Sequence, residues 1–555
     1  MPARKPTRTK FIFISGGVIS GIGKGITSAS IALLLKSAGY KVAPLKFENY
    51  LNLDAGTINP IEHGDPFLCE DGTEGDMDIG TYEKFLDEDM GKLNFVTMGR
   101  IYQTVLDRER AFGYNGEDVE AIPHVTDEII HRIEEIAKKK NADIVLIELG
   151  GTAGEYQNVL YYEASRILTL RRPNDVAHVH VSYLPTPSHL GEPKTKPTQL
   201  SVRTLNSMGI QPDFIVARSD KFIDQRRRDR FALFCNMSGD HIISNPDVRS
   251  VYEVPFILEE QGFAEKILKK LDLQVKKPDL TNWKKLLKKI KAVPTKEITI
   301  AIVGKYFSTG SYHLRDSYAA LFDAIDHAAW ERNVSVKTVW IDAEKVEKEG
   351  EEVIGKPDGI IVPIGWGERG SEGMVTTASY ARRKKIPYLG LCYGMQLAAV
   401  AFARDILGWQ DANSEENDKK TKHRVIHLMP AQKEVMARRA YGGTMRLGGW
   451  EATVKKGTIA YDGYDKSNSF INKQKALTSE RHRHRYEFND EFINEFEKKG
   501  LIISARSVVE NLVEIIELSK NDHPFYLGTQ GHPEYKSRPG KPHPLFVEFL
   551  SVASK

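Results

Sequence analysis

Short apolar runs alternate with amphipathic stretches along most of the chain. Lys10–Ser15, Lys41–Leu45, Asp143–Leu149, Ala177–Val181 and Asp213–Ala217 are continuous, apolar and rich in β-branched residues. That is the pattern of strands buried on both faces of a parallel sheet. Thr27–Ala38 and Asp127–Lys139, lying between such runs, carry apolar residues at helical spacing. The alternation predicts an open α/β domain. Near residues 266–297 the pattern changes: lysines crowd the chain, with Pro278 and Pro294 as breaks. Thr281 reads as an N-cap, and Trp283, Leu286, Leu287 and Ile290 share one helical face, which predicts a linker helix with a solvated lysine side. A second α/β pattern follows. Its expected strands are Ile298–Val303, Val334–Ile341, Gly359–Pro363 and Pro387–Leu391, and its expected helices are Leu314–Trp330 and Gly394–Leu407. The end is richer in strands, at Val425–Met429, Leu501–Ala505, Leu512–Leu518 and Phe525–Thr529, with Asp411–Lys422 read as a polar mobile loop. The expected division is 1–275, a linker over 276–297, and 298–555.

Composition changes this picture little. A chain of 555 residues with 41% hydrophobic and 28% charged content has room for about two to four domains with their own cores. No apolar run approaches the roughly 20 residues of a membrane helix. The basic start (Arg4, Lys5, Arg8, Lys10) precedes only Phe11–Ile14, too short for a secretory core, so a cytoplasmic location is expected. A net charge of +3 does not argue for nucleic acid, and neither nucleic acid nor membrane is expected as a partner. Three cysteines, Cys69, Cys235 and Cys392, make no disulfide framework and no zinc pair.

Two stretches carry chemistry. Ser15–Gly25 is glycine-rich and follows an apolar strand; such a turn points backbone N–H groups at one spot, at the positive end of a helix. Lys24 adds a mobile charge for β- and γ-phosphates, although Gly25 stands where a phosphate loop has a hydroxyl residue. Carboxylates crowd Glu70–Asp78, and Glu148 ends an apolar strand before Gly150-Gly151-Thr152. Mg²⁺ needs one or two such oxygens, with phosphate and water completing its shell. Lys194–Gln199 reads as a second triphosphate clamp. Far downstream, Gly390-x-Cys392-x-Gly394 between strand and helix is a nucleophile turn with sulfur, where the helix start favours the thiolate. His532 and Glu534, two apart in extended chain, fall on one face as a base and its orienting carboxylate. The turn Pro363–Gly367 offers backbone donors for an oxyanion.

With these residues in view, the chain resembles the CTP synthase family over nearly its whole length. The matches are Gly16–Ser20 with Gly23-Lys24-Gly25; Glu70-Asp71-Gly72; Gly99–Tyr102; Ile122-Pro123-His124; Lys194–Gln199; and Arg218-Ser219-Asp220. In the second half they are Arg369-Gly370 with Glu372-Gly373-Met374, Cys392 with Gly394-Met395-Gln396, Gly442–Gly448, Arg481–Glu487 and His532-Pro533-Glu534. The resemblance implies a P-loop-like parallel-sheet amidoligase domain followed by a class I glutamine amidotransferase domain. It implies that ATP phosphorylates UTP, that ammonia released from glutamine at Cys392 displaces the phosphate, and that CTP results. It places ATP at Ser20, Gly21, Ile22, Gly23, Lys24, Gly25, Lys46 and Asp71, and Mg²⁺ at Asp71 and Glu148. UTP or CTP falls to Ser20, Glu155, Lys194, Lys196, Gln199 and Arg230. Glutamine falls to Gly365, Gln396, Glu415 and Arg485, and a GTP activator to Arg369 and Glu372. CTP as feedback inhibitor, a homotetramer and filaments are also implied. Departures from the family pattern stand at Glu48, Asn49, Gln157, Arg230, Ile364 and Tyr393. Other readings are an ATP-dependent amidoligase like the cobyrinate amidases, which the Lys194–Gln199 and Arg481–Glu487 runs disfavour, and a degenerate filament subunit. Intact Lys24, Asp71, Glu148, Cys392, His532 and Glu534 argue against the latter.

Overall fold

Residues 8–60, 64–189, 191–309, 312–313, 315–438 and 441–555 are described by a computed structural model. Arg4, Lys5 and Leu314 lie outside them. The chain divides into two compact units. One holds Met1–Asp54 and Asp78–Leu287; the other holds Ala55–Met77 and Lys288–Lys555.

In the first unit the five predicted apolar runs join two further strands, Phe95–Thr97 and Ile242–Pro246, in one seven-stranded parallel sheet. Its strands are β1 (Lys10–Gly17), β2 (Val42–Glu48), β3 (Phe95–Thr97), β4 (Ile144–Leu149), β5 (Val176–Tyr183), β6 (Phe214–Ser219) and β7 (Ile242–Pro246). Their order is β3-β2-β4-β1-β5-β6-β7. β4 is buried at every residue, as a strand covered on both faces must be. Register puts Ile14 of β1 and Lys46 of β2 beside Glu148 of β4, so the chemistry-bearing ends of three strands are neighbours. Ligands of open α/β sheets sit at such carboxyl ends, where the strand order reverses. Helix α1 (Lys24–Ser37) follows β1, and α2 (Lys196–Ser207) follows β5.

The linker helix is present as α3 (Thr281–Ile290), but Thr281 is not its cap. Asp279 takes that role: its carboxylate accepts from the Thr281 N–H at 3.0 Å and the Thr281 hydroxyl at 2.6 Å. Of the expected apolar face only Leu286 is buried, while the Trp283 indole donates to the Tyr252 carbonyl. The division between units falls within α3.

The second unit is built on a nine-stranded mixed sheet. Its strands are β8 (Glu297–Gly304), β9 (Ser335–Asp342), β10 (Gly359–Val362), β11 (Tyr388–Leu391), β12 (Arg446–Val454), β13 (Leu477–His484), β14 (Leu501–Ser507), β15 (Val513–Leu518) and β16 (Tyr526–Thr529). The order is β9-β8-β10-β11-β16-β15-β14-β12-β13, parallel from β9 to β16 and antiparallel beyond. Helix α4 (Tyr393–Phe402) continues as a wider π-type turn to Leu407. Asp411–Lys422 is more tied than the expected loop: Asn413–Ser414 pairs with Arg424–Leu428, and the Thr421 hydroxyl donates to the Asp411 carbonyl.

Ala55–Met77, early in sequence, belongs to this second unit. It carries a short hairpin, Phe67–Leu68 against Glu74–Gly75. Arg481 of β13, fully buried, donates to Glu70 at 3.1 Å and to the Leu68 carbonyl at 2.9 Å. Arg483 donates to the buried Glu74 at 2.6 Å, and the Tyr535 hydroxyl to Asp65 at 2.6 Å. Removing one partner of a buried ion pair typically costs about 3–5 kcal/mol. Arg483→Leu is therefore expected to lower the thermal midpoint of the second unit by several degrees, read by calorimetry.

Candidate active sites

The first site grows out of the end of β1. Gly23 caps α1 in the left-handed region (φ 84°), with no side chain capping the helix, so its first N–H groups face outward. Gly16 has no Cβ because the Lys24 side chain lies there: an added methyl would meet Lys24 Cδ at 2.6 Å. Lys24 Nζ donates to the Gly151 carbonyl at 2.8 Å, which brings the loop after β4 to the phosphate loop. Burial, then the nearby Lys46 ammonium, lowers the Lys24 pKa. Of the loop residues expected at ATP, Ile22 is tied through its carbonyl to Arg218.

Lys46 stands at the centre of the site, 3% exposed. Its Nζ lies 2.8 Å from Glu148, 2.5 Å from Asp78 and 3.0 Å from Glu48. Asp78, which the sequence reading does not single out for ATP or Mg²⁺, is a partner of Lys46. Asp71, expected at both, lies in the segment that belongs to the second unit, where it accepts from the Thr73 N–H. The reason is local. The run of carboxylates is broken at Met77, where helix Met77–Leu86 starts, and its first turn carries Asp78 to the sheet. Burial would raise the Asp78 carboxyl, but the Lys46 ammonium outweighs it and holds the pKa down. Glu148 goes the other way, raised by burial and then by the Asp78 charge, while the Tyr82 hydroxyl donates to it at 2.6 Å. Three carboxylates against Lys24 and Lys46 leave one net negative charge. Gly25 also finds its reason here: an added Cβ would meet the Asp78 carboxylate at 2.1 Å.

Two departures from the family pattern acquire roles. Glu48 is a third partner of Lys46, and Asn49 donates to Glu155 at 2.9 Å, a bond no proline could make. Glu155 also accepts from the Thr152 N–H and hydroxyl. Nothing in the structure explains Gln157, which is exposed. In the expected clamp, Lys194 pairs with Glu192, Lys196 opens α2, and the Gln199 amide donates to the Thr195 hydroxyl. Arg230 is exposed; Arg227, one helical turn earlier, is the residue brought to this loop, on Glu192 and the Pro193 carbonyl.

The second site is at the end of β11. Cys392 sits at φ 51° and ψ −101°, a strained conformation for a non-glycine residue and the mark of a nucleophile turn. The turn is possible only because its neighbours are glycines: a Cβ on Gly394 would meet the Val362 carbonyl oxygen at 2.0 Å. Gly394→Ala is accordingly expected to unfold or inactivate this site, visible as loss of thiol-directed labelling of Cys392. His532 is buried, and its Nδ1 bonds Glu534 at 2.7 Å. The pair closes across a 3₁₀ turn over Pro533–Lys536 rather than along the expected extended chain. Burial would lower the imidazole's pKa; the Glu534 carboxylate and Cys392 outweigh it and raise it to about 10 from 6.5. With the folded value above the unfolded one, the pair's stabilisation is full below about pH 6.5 and is lost as pH rises towards 10. The stability gap between wild type and Glu534→Gln is therefore expected to shrink between those limits, measured by urea denaturation.

A small cavity joins Cys392 to Gly365, Trp366, Gln396, Glu416, Arg485 and Tyr486. Gly365, Gln396 and Arg485 are thus brought to the thiol as expected, but Glu415 is not. Its carboxylate accepts from the Leu428 N–H at 2.9 Å, and Glu416 faces the cavity, holding the Gly367 N–H at 2.8 Å. The one-residue shift follows from alternation along the strand at Asn413–Ser414. Arg485 is braced by Gln432 and the Tyr441 carbonyl. Lys305, missed in the sequence, donates to the Gly367 carbonyl and lies 4.4 Å from the Tyr393 ring centroid; burial lowers its pKa to about 8. Tyr393 forms part of the cavity wall and links the Gly367 carbonyl to Asn417, whereas Ile364 turns its side chain into the core. Arg369 and Glu372 do not converge: Arg369 binds Glu344, and Glu372 makes a two-toothed pair with Arg404.

Two family models match the chain, "CTP synthase N-terminus" over residues 10–273 and "Glutamine amidotransferase class-I" over 313–552. The CTP synthase of Pyrococcus abyssi is 46% identical over 549 residues, 99% of this chain and 98% of the relative. That of Clostridium acetobutylicum is 43% identical over 548 residues, 98% of this chain and 99% of the relative. Among solved structures, the glutaminase domain of Trypanosoma brucei CTPS with bound acivicin is 34% identical, covering 46% of this chain and 93% of its own, at a TM-score of 0.41.

Proposed function

The chain belongs to the CTP synthase family, glutamine-hydrolysing carbon–nitrogen ligases that convert UTP to CTP with ATP, and we propose the following division of labour among its residues. The observation that carries it is the presence of two built sites of different chemistry. One is a cationic loop with carboxylates at the end of a parallel sheet; the other is a strained cysteine with a buried His–Glu pair.

At the first, the α1 N-terminus and Lys24 hold the ATP phosphates, and Lys46 neutralises charge as the phosphoryl group moves to the uracil oxygen. Lys194, Lys196 and Gln199 clamp UTP, with Arg227 bracing their loop. Asp78 and Glu148 suit Mg²⁺, since a buried carboxylate and a partly open one meet there in a net negative site; Asp71 is kept as a second candidate. Among the described residues no three His, Cys, Asp or Glu side chains form a ready metal cage, so nucleotide phosphates would complete the shell. Bound there, the ion would offset phosphate charge. At the second, the Cys392 thiolate attacks the glutamine carboxamide, with a backbone N–H of the 365–367 turn facing the oxyanion. His532 gives its proton to the departing ammonia, and Glu534 keeps the imidazole oriented. Arg485, Gln396 and Glu416 hold the glutamine.

The division at 275 and 298 remains our working boundary for the two catalytic parts. GTP as activator near Arg369 and Glu372, CTP as feedback inhibitor, a homotetramer that can build filaments, and a cytoplasmic location complete the reading. Among the described residues no helix is long and apolar enough to cross a membrane. The test is CTP formation by purified protein from UTP, ATP and Mg²⁺ with glutamine or with ammonium. Product from both is expected; no product from either would overturn the reading.

A further inference from the structure

β11 and β16 are adjacent and parallel, with Leu391 opposite Thr529. The residues just past both strand ends, Cys392 and Gln530, are therefore neighbours, and the Cys392 N–H donates to the Thr529 carbonyl at 2.7 Å. Gln530 is 1% exposed, and its side-chain amide is aimed at the nucleophile: Nε2 lies 3.4 Å from Cys392 Sγ.

The direction of that bond is forced by the groups behind it. The Tyr486 carbonyl can only accept, so Gln396 presents Nε2 to it, at 2.9 Å. The same Nε2 faces Gln530 at 3.1 Å, so Gln530 must present Oε1 there. One end of the Gln530 amide is thereby fixed as the acceptor, and the other end, a donor, is left against sulfur. A hydrogen bond to an ionised acceptor is much stronger than one to a neutral one, so this donor holds the sulfur most firmly while it is the attacking anion. It also turns the sulfur lone pairs, and it ties the nucleophile to Gln396, which faces the glutamine cavity.

We propose that Gln530 is a further catalytic residue of the glutaminase site, an amide donor to Cys392 Sγ whose orientation is locked through Gln396 by the Tyr486 carbonyl. The proposal rests on the assignment of Cys392 as the nucleophile. The other titratable or charged groups facing this site are His532, His484, Arg485, Glu416, Tyr393 and Tyr486. His484 is kept neutral by burial and then by the Arg446 charge, so it does not supply the thiolate's counter-charge. Gln530 acts beside the His532 imidazolium as a neutral donor that remains after the imidazole has given up its proton to the leaving ammonia.

The test uses the full chain and compares Gln530→Glu and Gln530→Met with wild type and with Cys392→Ser. Glu keeps the size of Gln530 and its acceptor for Gln396, but replaces the amide donor with a carboxylate whose charge opposes the thiolate; Met removes donor and acceptor without adding charge. In both variants alkylation of Cys392 by iodoacetamide at neutral pH is expected to slow about tenfold or more. The thiolate's ultraviolet absorbance is expected to fall, and kcat/KM for glutamine to drop about tenfold or more. CTP formation from ammonium is expected to stay within about twofold, which reports an intact fold. If Gln530→Met does not fold, Gln530→Glu decides alone. Wild-type alkylation and wild-type glutamine kinetics in Gln530→Glu would overturn the proposal. Glutamine-driven synthesis surviving in Cys392→Ser would overturn the nucleophile assignment itself, and that result is read without any Gln530 variant.

Discussion

Cys392→Ala is expected to lower glutamine-driven CTP formation by about a thousandfold or more, and to leave ammonium-driven formation within about twofold. The size of the first effect follows from the role of sulfur. No other described side chain in the cavity offers a nucleophile on a strained turn at a helix start. With the thiol gone, His532 and Glu534 have no sulfur to serve, and the thioester cannot form. The second half follows from the separation of chemistries. The alanine removes nothing from Lys24, Lys46, Glu148 or Lys194, which belong to the first unit. Ammonium supplied from outside bypasses the thiol. The measurement is steady-state CTP formation with each nitrogen source at saturating UTP and ATP. Equal loss from both sources would sink the division of labour.

Lys46→Met is expected to remove synthesis from both nitrogen sources, by about a hundredfold or more. It is also expected to destabilise the first unit by about 3–5 kcal/mol. The ammonium is the shared partner of Glu48, Asp78 and Glu148, and Glu148 has no solvent exposure. Without it three carboxylates, Glu48 and Glu148 buried and Asp78 partly open to solvent, face one another with Lys24 beside them. Their repulsion is relieved by protonation, so the loss of stability should be smaller at low pH. Glutamine hydrolysis at Cys392, assayed apart from CTP formation, should persist in the fraction that stays folded. Urea denaturation at two pH values and separate assays of the two half-reactions give the readouts. An unchanged rate of CTP formation would remove Lys46 from the phosphate site.

Much of this was legible before any coordinates. β1, β4 and β5 announce themselves because a strand buried on both faces has nowhere to place polar residues, and its sequence becomes an uninterrupted apolar run. The phosphate loop and the Cys392 turn are legible for a related reason. Each needs glycine where the backbone comes close to another group, and such glycines leave a spacing that survives in one dimension. Side chains a few positions apart, such as His532 and Glu534, pair as their spacing predicts even though the chain between them turns rather than extends. Carboxylates in a row look alike in sequence: at Glu415 and Glu416 only the strand's alternation selects Glu416 for the cavity, and in the run Glu70–Asp78 only a helix start brings Asp78 to Lys46. Neighbouring cap candidates are equally alike, and the fold uses Asp279 to hold the Thr281 N–H.

Strand β13 marks the limit. Leu-Thr-Ser-Glu-Arg-His-Arg-His has no apolar alternation, and in sequence the run stands out only as a family signature. It is nonetheless a buried strand, because Glu70 and Glu74, some four hundred residues away in the chain, bring the opposite charges that allow Arg481 and Arg483 to leave water. The chain alone determined which backbones bury, where the tight turns fall and which chemistries each half carries, since these depend on hydrophobicity and steric fit between near neighbours. Only the tertiary structure decided which carboxylate meets which cation, and that Ala55–Met77 packs with the second unit. Such pairings depend on distances across the fold, and a charge carries no mark in the sequence of the partner that will make its burial tolerable.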